Sequence, residues 1–435
     1  MESKKWGIVG GGIMGMTLAH RLAQQGHKIT IFEAAPEIGG LVSSWKMGDV
    51  EWDKFYHVIL LSDFRTRNIL KEIGLEESIQ WVETKTGFYI NGKLYSMSDT
   101  IEFLKFPTLN LIDKFRLGLT IIVASRIKNW KRLEKIPVTK WLQKWSGTNA
   151  YNKIWLPLLR AKLGESYKKT SAVFIWATIQ RLYGARRSGL KKEMFGFVDG
   201  GYKKVIEKYK QKLIAEDVII KTSYEAKEIK ISSNGKPAIY FNNEKCEEFD
   251  EVIITLPSGI SSKLCTGLSE YEIQKLNNVE YLGVICVAVL LNRSISDFYI
   301  TNITDSWIPF TGVIEMTALV DKKYLAGNSL VYLPKYVVAN DPLFNQSDDE
   351  IKNYFIDNFK KMYPWLTADS IKFVGVARAK NVITVAKLDY SEALPDVKTS
   401  IPGVYIINTS HIKDGTLNVN ETVRVAETKL REILN

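Results

Sequence analysis

The sequence contains few of the residues that hold metals or form covalent cross-links. Its 435 residues include three cysteines, Cys246, Cys265 and Cys286, and no two of them have C-x-x-C spacing. The four histidines are scattered along the chain. Because disulfide frameworks and zinc sites need clustered ligands, we expect reduced, buried cysteines and no metal site.

Long apolar runs are also missing. No stretch of eighteen residues is continuously apolar, so a membrane-spanning helix is not expected. Residues 1–5 lead directly into the first predicted strand, and we therefore expect no signal peptide. The composition, 46% hydrophobic and 25% charged, is typical of a globular protein. The length indicates two or three structural units.

Positive charge is concentrated in one part of the chain. Residues 98–190 contain 18 Lys and Arg against 5 Asp and Glu, a net +13, whereas the whole chain carries +11. This excess predicts an anionic partner there, and a solvated helical face is the alternative. Trp130, Trp141 and Trp145 recur among lysines, which suits peripheral contact with the inner face of a membrane. Core tryptophans beside solvated lysines would give the same pattern. We expect no nucleic-acid partner.

The first forty-five residues carry the clearest motif. They read as a strand, a glycine turn, a helix, a second strand and an acidic residue, within the ~30 residues expected of a dinucleotide-binding unit. Gly10 allows the tight turn, Gly12 lets a pyrophosphate approach the backbone, and Gly15 lets the helix pack on the strand. Glu33 ends the second strand, where its carboxylate can accept hydrogen bonds from ribose hydroxyls and disfavours a 2′-phosphate. The motif predicts a site for the ADP half of a dinucleotide other than NADP.

A second glycine pair follows this unit. Gly39 and Gly40 come shortly after Glu33 and precede small hydroxyl residues. This extended pattern resembles that of the superfamily of FAD-dependent amine oxidases, protoporphyrinogen oxidases and phytoene desaturases. The stretches 53–57 and 332–336 are similar to bacterial members with unassigned substrates. The resemblance implies FAD as the cofactor. No second G-x-G-x-x-G occurs, so we expect no separate NAD(P)H domain.

The resemblance also implies the architecture. We expect an α/β fold with a discontinuous Rossmann-type FAD-binding domain, an antiparallel-sheet substrate domain and a basic helical insertion that faces the substrate or a membrane. The FAD-binding domain would comprise 1–80, 191–265 and 395–435, the substrate sheet 81–97 and 266–394, and the helical insertion 98–190. Helices are predicted over 100–106, 111–130, 138–145, 151–163, 171–183 and 348–362, and strands over 283–291, 312–320 and 329–333.

The predicted cofactor residues lie in the glycine turn, the loop after the second strand, the strand that ends at Pro257 and the C-terminal loop. They are Gly10, Gly12, Ile13, Met14, Gly15, Glu33, Ala34, Gly39, Gly40, Leu41, Thr255, Asn408, Thr409, Asn418 and Val419. The superfamily usually has Ala-Gly-Asp at the last strand end, whereas this chain has Ile407-Asn408-Thr409. Asn408 or Thr409 would have to replace that aspartate. Asn418 and Glu421 predict a capping box for the C-terminal helix.

Three residues are predicted to be catalytic: His57, Tyr56 and Arg160. His57 follows the Gly-Gly loop at the distance that brings related chains to the flavin face, and a histidine titrates near neutrality. Tyr56 would line the ring. Arg160, together with Lys162, would neutralise an acidic substrate group or an anionic flavin. A structural histidine and helix-surface cations are the alternatives.

Further candidates are less specific. Tyr336 would form an aromatic wall of the site or belong to the core. Arg186 and Arg187 would reach a phosphate or carboxylate, or lie in a solvated loop.

Together these features predict a cytoplasmic FAD-dependent oxidoreductase. It would remove a hydride from a C–N or C–C bond of an apolar or amphipathic small molecule and pass electrons to oxygen, a quinone or another carrier. A redox-neutral isomerase of sugar nucleotides, similar to UDP-galactopyranose mutase, is one alternative, with the basic region holding a diphosphate. A non-enzymatic flavin-binding partner is another. The oligomeric state stays open.

Overall fold

The computed structural model describes residues 2–184, 193–242 and 245–435. Its strands are β1 Lys5–Val9, β2 Lys28–Glu33, β3 Ser44–Met47, β4 Val50–Asp53, β5 Ile59–Leu60, β6 Ile79–Glu83, β7 Lys85–Ile90, β8 Lys93–Ser96, β9 Met194–Val198, β10 Ile219–Thr222, β11 Ala226–Ile231, β12 Pro237–Phe241, β13 Cys246–Glu248, β14 Glu251–Ile254, β15 Tyr281–Leu291, β16 Phe298–Ile303, β17 Gly312–Glu315, β18 Ser329–Val338, β19 Ile371–Thr384 and β20 Val404–Ile406. Its α-helices are α1 Ile13–Ala23, α2 Phe64–Glu72, α3 Thr100–Lys105, α4 Leu111–Arg126, α5 Lys131–Glu134, α6 Val138–Ser146, α7 Thr148–Ala150, α8 Leu156–Leu163, α9 Val173–Gly184, α10 Gly201–Ala215, α11 Ser258–Leu264, α12 Glu270–Asn277, α13 Asp348–Met362, α14 Tyr390–Ala393 and α15 Val419–Leu434.

A five-stranded parallel sheet is built from distant parts of the chain. Its strand order is β10-β2-β1-β14-β20, and every neighbouring pair is parallel. Side chains alternate between its faces, as strand geometry requires. Ile8 and Ile31 point towards α1, α10 and α15. Phe32 and Ile254 point towards the small antiparallel sheet β11-β12-β13. This three-layer arrangement is the Rossmann-like fold expected from the sequence.

A seven-stranded sheet forms a second core. Its order is β19-β15-β18-β17-β16-β7-β8. β15, the second strand in this order, is buried along its whole length, and α13 covers one face of the sheet. The sheet is antiparallel, as expected, at every pair but one, since β7 and β16 run parallel. Those strands come from separate chain segments rather than from one hairpin, so no short connection forces them to be antiparallel.

The helical region extends from α3 to α9 and largely follows the predicted pattern. α4 ends at Arg126, earlier than predicted, and a π-helical turn, Tyr151–Trp155, precedes α8. Trp141 is buried, and Trp130 and Trp145 pack against the same helical core. These tryptophans therefore belong to the core and do not form an interfacial surface.

Cysteine placement departs from expectation at one position. Cys265 and Cys286 are buried, but Cys246 is exposed because it lies on the edge strand β13. All three are free thiols. Across the described ranges, no helix combines the length and the apolar character that crossing a bilayer would need.

Candidate active site

The turn from β1 into α1 is shaped by its glycines. Gly10 has a φ of 111° and donates its N–H to Phe32 O at 2.8 Å. A Cβ on Gly15 would overlap the carbonyl oxygen of Gly10. A Cβ on Gly12, in contrast, would meet no protein atom within 4 Å. Gly10 and Gly15 are thus needed to fold the turn, whereas Gly12 leaves open space beside the backbone.

Glu33 is held beside this turn by the backbone. Its Oε2 accepts a hydrogen bond from Gly11 N and its Oε1 accepts one from Ala35 N, both at 2.8 Å. Each carboxylate oxygen keeps a further lone pair for a ribose hydroxyl. Sequence reasoning missed Gly11, where a Cβ would come within 2.7 Å of Ile38 Cγ2.

The two glycine motifs meet in space. Gly39 N donates to Gly11 O at 2.9 Å, and a Cβ on Gly40 would lie 3.4 Å from Gly12 Cα. The cradle formed by Gly10–Gly12 and Gly39–Gly40 stands at the N-terminus of α1, whose first-turn N–H groups and dipole favour an anion. Both the open space at Gly12 and the fixed carboxylate of Glu33 fit the ADP half of FAD.

The predicted cofactor residues of this region divide into two groups by burial. Buried residues support the turn: Gly10, Ile13, Met14, Gly15 and Gly39. Residues with exposed surface are available to a ligand: Gly12, Glu33, Ala34, Gly40 and Leu41.

The C-terminal candidates are mostly occupied by internal hydrogen bonds. Thr255 Oγ1 donates to Val9 O at 3.0 Å. Asn408 is 1% exposed, and its Nδ2 donates to Leu256 O at 2.8 Å. Thr409, which follows it, is partly buried. The flavin contacts predicted for these residues stay predictions.

Asn418 forms the N-cap of α15. Its Oδ1 accepts from Glu421 N at 3.0 Å, and Val419 begins the helix. The Glu421 carboxylate pairs with Arg424 instead of returning to the cap. The capping box is therefore only half formed, because the arginine one turn later provides a charged partner.

His57 lies in a small crevice between β4 and α10. Its Nδ1 is 3.7 Å from Asp53 Oδ2, and its ring centroid is 5.0 Å from that of Tyr202. Asp53 is 2% exposed and its Oδ1 accepts from Tyr202 N at 2.9 Å. Sequence reasoning did not single out Asp53, which fixes the first turn of α10 beside the histidine.

Tyr56 forms a pair with Tyr336 from β18. Their hydroxyl oxygens are 2.8 Å apart, and burial raises the pKa of Tyr56 to about 12. Lys162 Nζ lies 3.5 Å from the centre of the Tyr336 ring. Desolvation lowers the pKa of Lys162 to about 7, and this lysine forms no ion pair within the described residues. Arg160, by contrast, is exposed and lies near Tyr167.

One apolar cluster connects the tyrosine pair to the cofactor cradle. Leu41 of the Gly-Gly loop and Leu417, just before α15, pack against it, as do Tyr56 and Tyr336. Residues far apart in sequence thus bring the predicted flavin-binding loops and an aromatic surface together.

An ion pair ties the helical insertion to the region after β5. Arg181 Nη1 and Nη2 lie 3.0 and 3.1 Å from the two oxygens of Asp63. Neither residue was predicted, since 118 positions separate them. The predicted candidates Arg186 and Arg187 lie outside the described residues.

Comparison with known proteins gives the class. A family model described as flavin containing amine oxidoreductase matches residues 13–394. The chain belongs to this family. It is an FAD-dependent oxidoreductase, in agreement with the cradle.

Two relatives and three solved structures are similar to this chain. The 15-cis-phytoene desaturase of Glycine max is 23% identical over 394 residues, which are 84% of this chain and 67% of that protein. Protoporphyrinogen oxidase 2 of Arabidopsis thaliana is 25% identical over 122 residues, 27% of this chain and 24% of that protein. A proposed protoporphyrinogen oxidase of Exiguobacterium sp. 255-15 has a TM-score of 0.77 at 17% identity, with 100% and 99% of the two chains covered.

Reduced UDP-galactopyranose mutase has a TM-score of 0.75 at 14% identity, covering 99% of this chain and 96% of that chain. Putrescine oxidase bound to putrescine has a TM-score of 0.72 at 14% identity, covering 100% of this chain and 99% of that chain. At such identities these structures share the fold, which hosts several chemistries.

Proposed function

We propose that this oxidoreductase removes a hydride from a C–N or C–C bond of an apolar or amphipathic small molecule. The proposal rests on the Tyr56–Tyr336 pair, which packs on the same apolar cluster as Leu41 and Leu417. Bound FAD would supply the hydride acceptor. The surrounding residues would orient the substrate and exclude water, and such chemistry needs no obligate acid or base.

Lys162 is the proposed contact for an acidic group of the substrate. It is partly buried, lies over Tyr336 and has no carboxylate partner among the described residues. An anionic group entering the site would favour its charged form. Arg160 is exposed, so we assign it a secondary part in attracting an anion. His57 stays a proposed catalytic residue, positioned by Asp53.

Anaerobic titration tests this function. The holoenzyme is mixed with amines, porphyrinogens and polyprenols while the flavin absorbance is recorded. Loss of the oxidised flavin spectrum with one class identifies the substrate, and readmitting oxygen or a quinone then tests the acceptor. If none of these compounds changes the spectrum, hydride removal from this substrate class is wrong.

A redox-neutral sugar-nucleotide isomerase is the second candidate. The net positive charge of residues 98–190 supports it, because that region could hold a diphosphate. A UDP-sugar would then shift the flavin spectrum without reducing it and would be converted only by the reduced enzyme. A flavin-binding protein without activity would give neither response.

We further propose the division into an FAD-binding domain (1–80, 191–265, 395–435), a substrate sheet (81–97, 266–394) and a helical insertion (98–190). A cytoplasmic location, with peripheral contact at the inner membrane face, is part of the same proposal. The three free thiols suit a reducing compartment. Gel-filtration and fractionation of cells would test the oligomeric state and the location.

A further inference from the structure

α4 is an unusual surface helix, because it buries polar groups and leaves large apolar side chains exposed. Asp113, Lys114 and Thr120, which are 7%, 7% and 0% exposed, are buried together with the apolar Leu117 and Ala124. These groups are satisfied internally. Asp113 accepts from Asn149 Nδ2 at 2.5 Å, and Lys114 Nζ donates to Leu104 O at 2.6 Å. Specific hydrogen bonds therefore compensate for the burial of these polar groups.

The exposed side of α4 is apolar. Leu111, Ile112 and Phe115 are 74%, 71% and 71% exposed, and Ile122 continues the same side of the helix two turns later. The adjacent helix α3 adds two exposed residues. We call this set the α3–α4 face: Ile101, Leu104, Leu111, Ile112, Phe115 and Ile122. Single exposed apolar residues are ordinary, but a contiguous group marks a surface that is covered by something else.

Exposed cations lie at the C-terminal ends of both helices that form this face and in the chain that follows α4. The exposed basic residues near it are Lys105, Arg126, Lys128, Lys131 and Arg132. None forms an ion pair with another described residue. The nearby carboxylates are already occupied. Glu102 accepts from Ser98 N, and Asp99 caps α3. The surroundings of the α3–α4 face thus carry uncompensated positive charge.

We propose that the α3–α4 face docks on a lipid bilayer that contains anionic lipids. The apolar side chains would enter the boundary between headgroups and acyl chains, with α4 lying in the membrane plane, and the cations would meet lipid phosphates. A second copy of the chain would instead oppose like charges, which disfavours self-association through this face. This inference rests on the peripheral membrane contact proposed above and assigns it to a surface, and it is independent of which substrate is oxidised.

Vesicle flotation of the FAD-loaded chain tests the proposal. We expect binding to phosphatidylcholine vesicles that contain phosphatidylglycerol, weaker binding to phosphatidylcholine alone, and release at high salt because exposed charges are screened. The double variant Ile112→Asp/Phe115→Asp should bind at least about tenfold more weakly, since it removes apolar side chains from the lipid contact. Lys128→Gln/Lys131→Gln should remove most of the preference for the anionic lipid.

The matched control is Ile214→Asp/Ile260→Asp, which places the same charges at exposed isoleucines on α10 and α11. It should bind vesicles as the unchanged chain does. Every variant should retain FAD and its melting temperature, because the altered side chains are exposed. Equal binding by the α4 variant and its control would overturn the proposal. So would loss of a dimer in sedimentation by the α4 variant while the unchanged chain ignores vesicles, because the face would then bind a second copy.

Discussion

At the residue scale, two glycines of the same motif are required for different physical reasons. Gly15 lacks room for a side chain because Gly10 O occupies the space, whereas Gly12 has room on the protein side. Gly12 also has an ordinary φ of −77°, which any residue adopts without strain. Substitutions at the two positions should therefore fail for different reasons, one by misfolding and the other by blocking a ligand.

Gly12→Val should abolish FAD retention while leaving the fold intact, because the valine would occupy the path of the pyrophosphate. The measurement is flavin absorbance per protein after purification, with circular dichroism to check folding. Gly259→Val on α11 is the control, since Gly259 has no positive φ and its Cβ would meet only Asn277 Oδ1, at 3.9 Å. Normal flavin content in the Gly12 variant would contradict the placement.

Glu33→Ala should weaken FAD binding by roughly 1–3 kcal/mol, the usual contribution of hydrogen bonds to a charged group. The variant also frees Gly11 N and Ala35 N, so part of the loss comes from the loop. Glu33→Gln keeps one acceptor oxygen, so its affinity for FAD should lie between those of the unchanged protein and of Glu33→Ala. Fluorescence titration of apoprotein with FAD gives the affinities, and an unchanged value for the alanine variant would exclude the ribose contact.

Lys162 should make stability depend on pH above neutrality. Its pKa falls from 10.5 to about 7 on folding. Between these values the unfolded chain binds more protons, so stability rises with pH through this window. Lys162→Met removes the cost of burying a charged lysine. At pH 6.5 the variant should stabilise the protein by about 1 kcal/mol or more, because one pKa unit corresponds to about 1.4 kcal/mol.

Urea unfolding at pH 6.5 and pH 10 measures this effect. Lys140→Met, at an exposed lysine of α6, should leave the free energy of unfolding nearly unchanged at both pH values. An equal response of the two variants would mean that Lys162 is solvated in solution.

At the scale of elements, α9 is joined to the region after β5 by the Asp63–Arg181 pair. Asp63 is 4% exposed, and burial raises the pKa of its carboxyl. Its remaining contact is Leu60 N at 3.0 Å. The pair should therefore hold the helical insertion in position, because breaking one side leaves a charge in the interior.

Arg181→Met should lower stability by about 3–5 kcal/mol, the cost of stranding a buried charge. The stability lost in this variant should be smaller at pH 5 than at pH 8, since the Asp63 carboxyl takes up a proton more readily without its arginine. Asp63→Leu/Arg181→Met should recover much of the loss. Thermal unfolding at both pH values provides the comparison, and a double variant as unstable as the single one would show that packing, not charge, dominates.

Element prediction succeeded where the signal was local. The helix predicted over 348–362 agrees with α13. The hairpin of β7 and β8 depends on an equally local signal, the Asn91-Gly92 turn, in which both residues have positive φ. The strand predicted over 312–320 is longer than the observed β17, and the strand predicted over 329–333 is shorter than the observed β18. Their ends depend on which neighbour they pair with, and pairing is a property of the sheet.

At the scale of the whole molecule, the parallel sheet that carries the cofactor cradle is built from three separate segments of the chain. β1 and β2 come first, β10 and β14 follow after the helical region, and β20 closes the sheet near the C-terminus. The site is therefore complete only in the folded state, so ligand binding and folding should be coupled.

FAD should stabilise the apoprotein by about 2.7 kcal/mol at a free concentration one hundred times its Kd. Tryptophan fluorescence and far-UV circular dichroism should show the shift together. Riboflavin, which lacks the ADP half, is the control and should stabilise far less. Equal stabilisation by both compounds would mean that the β1–α1 cradle is not the main contact.

The sequence alone determined the cradle, because a tight turn, a close approach and a ribose acceptor each restrict residue type within one continuous stretch. Tertiary structure decided the rest. Tyr56 and Tyr336 meet across 280 positions, and Lys162 joins them from a separate helix. The exposure of the apolar residues of α4 could not be read from its pattern, since periodicity shows that a face is apolar but not whether the protein covers it.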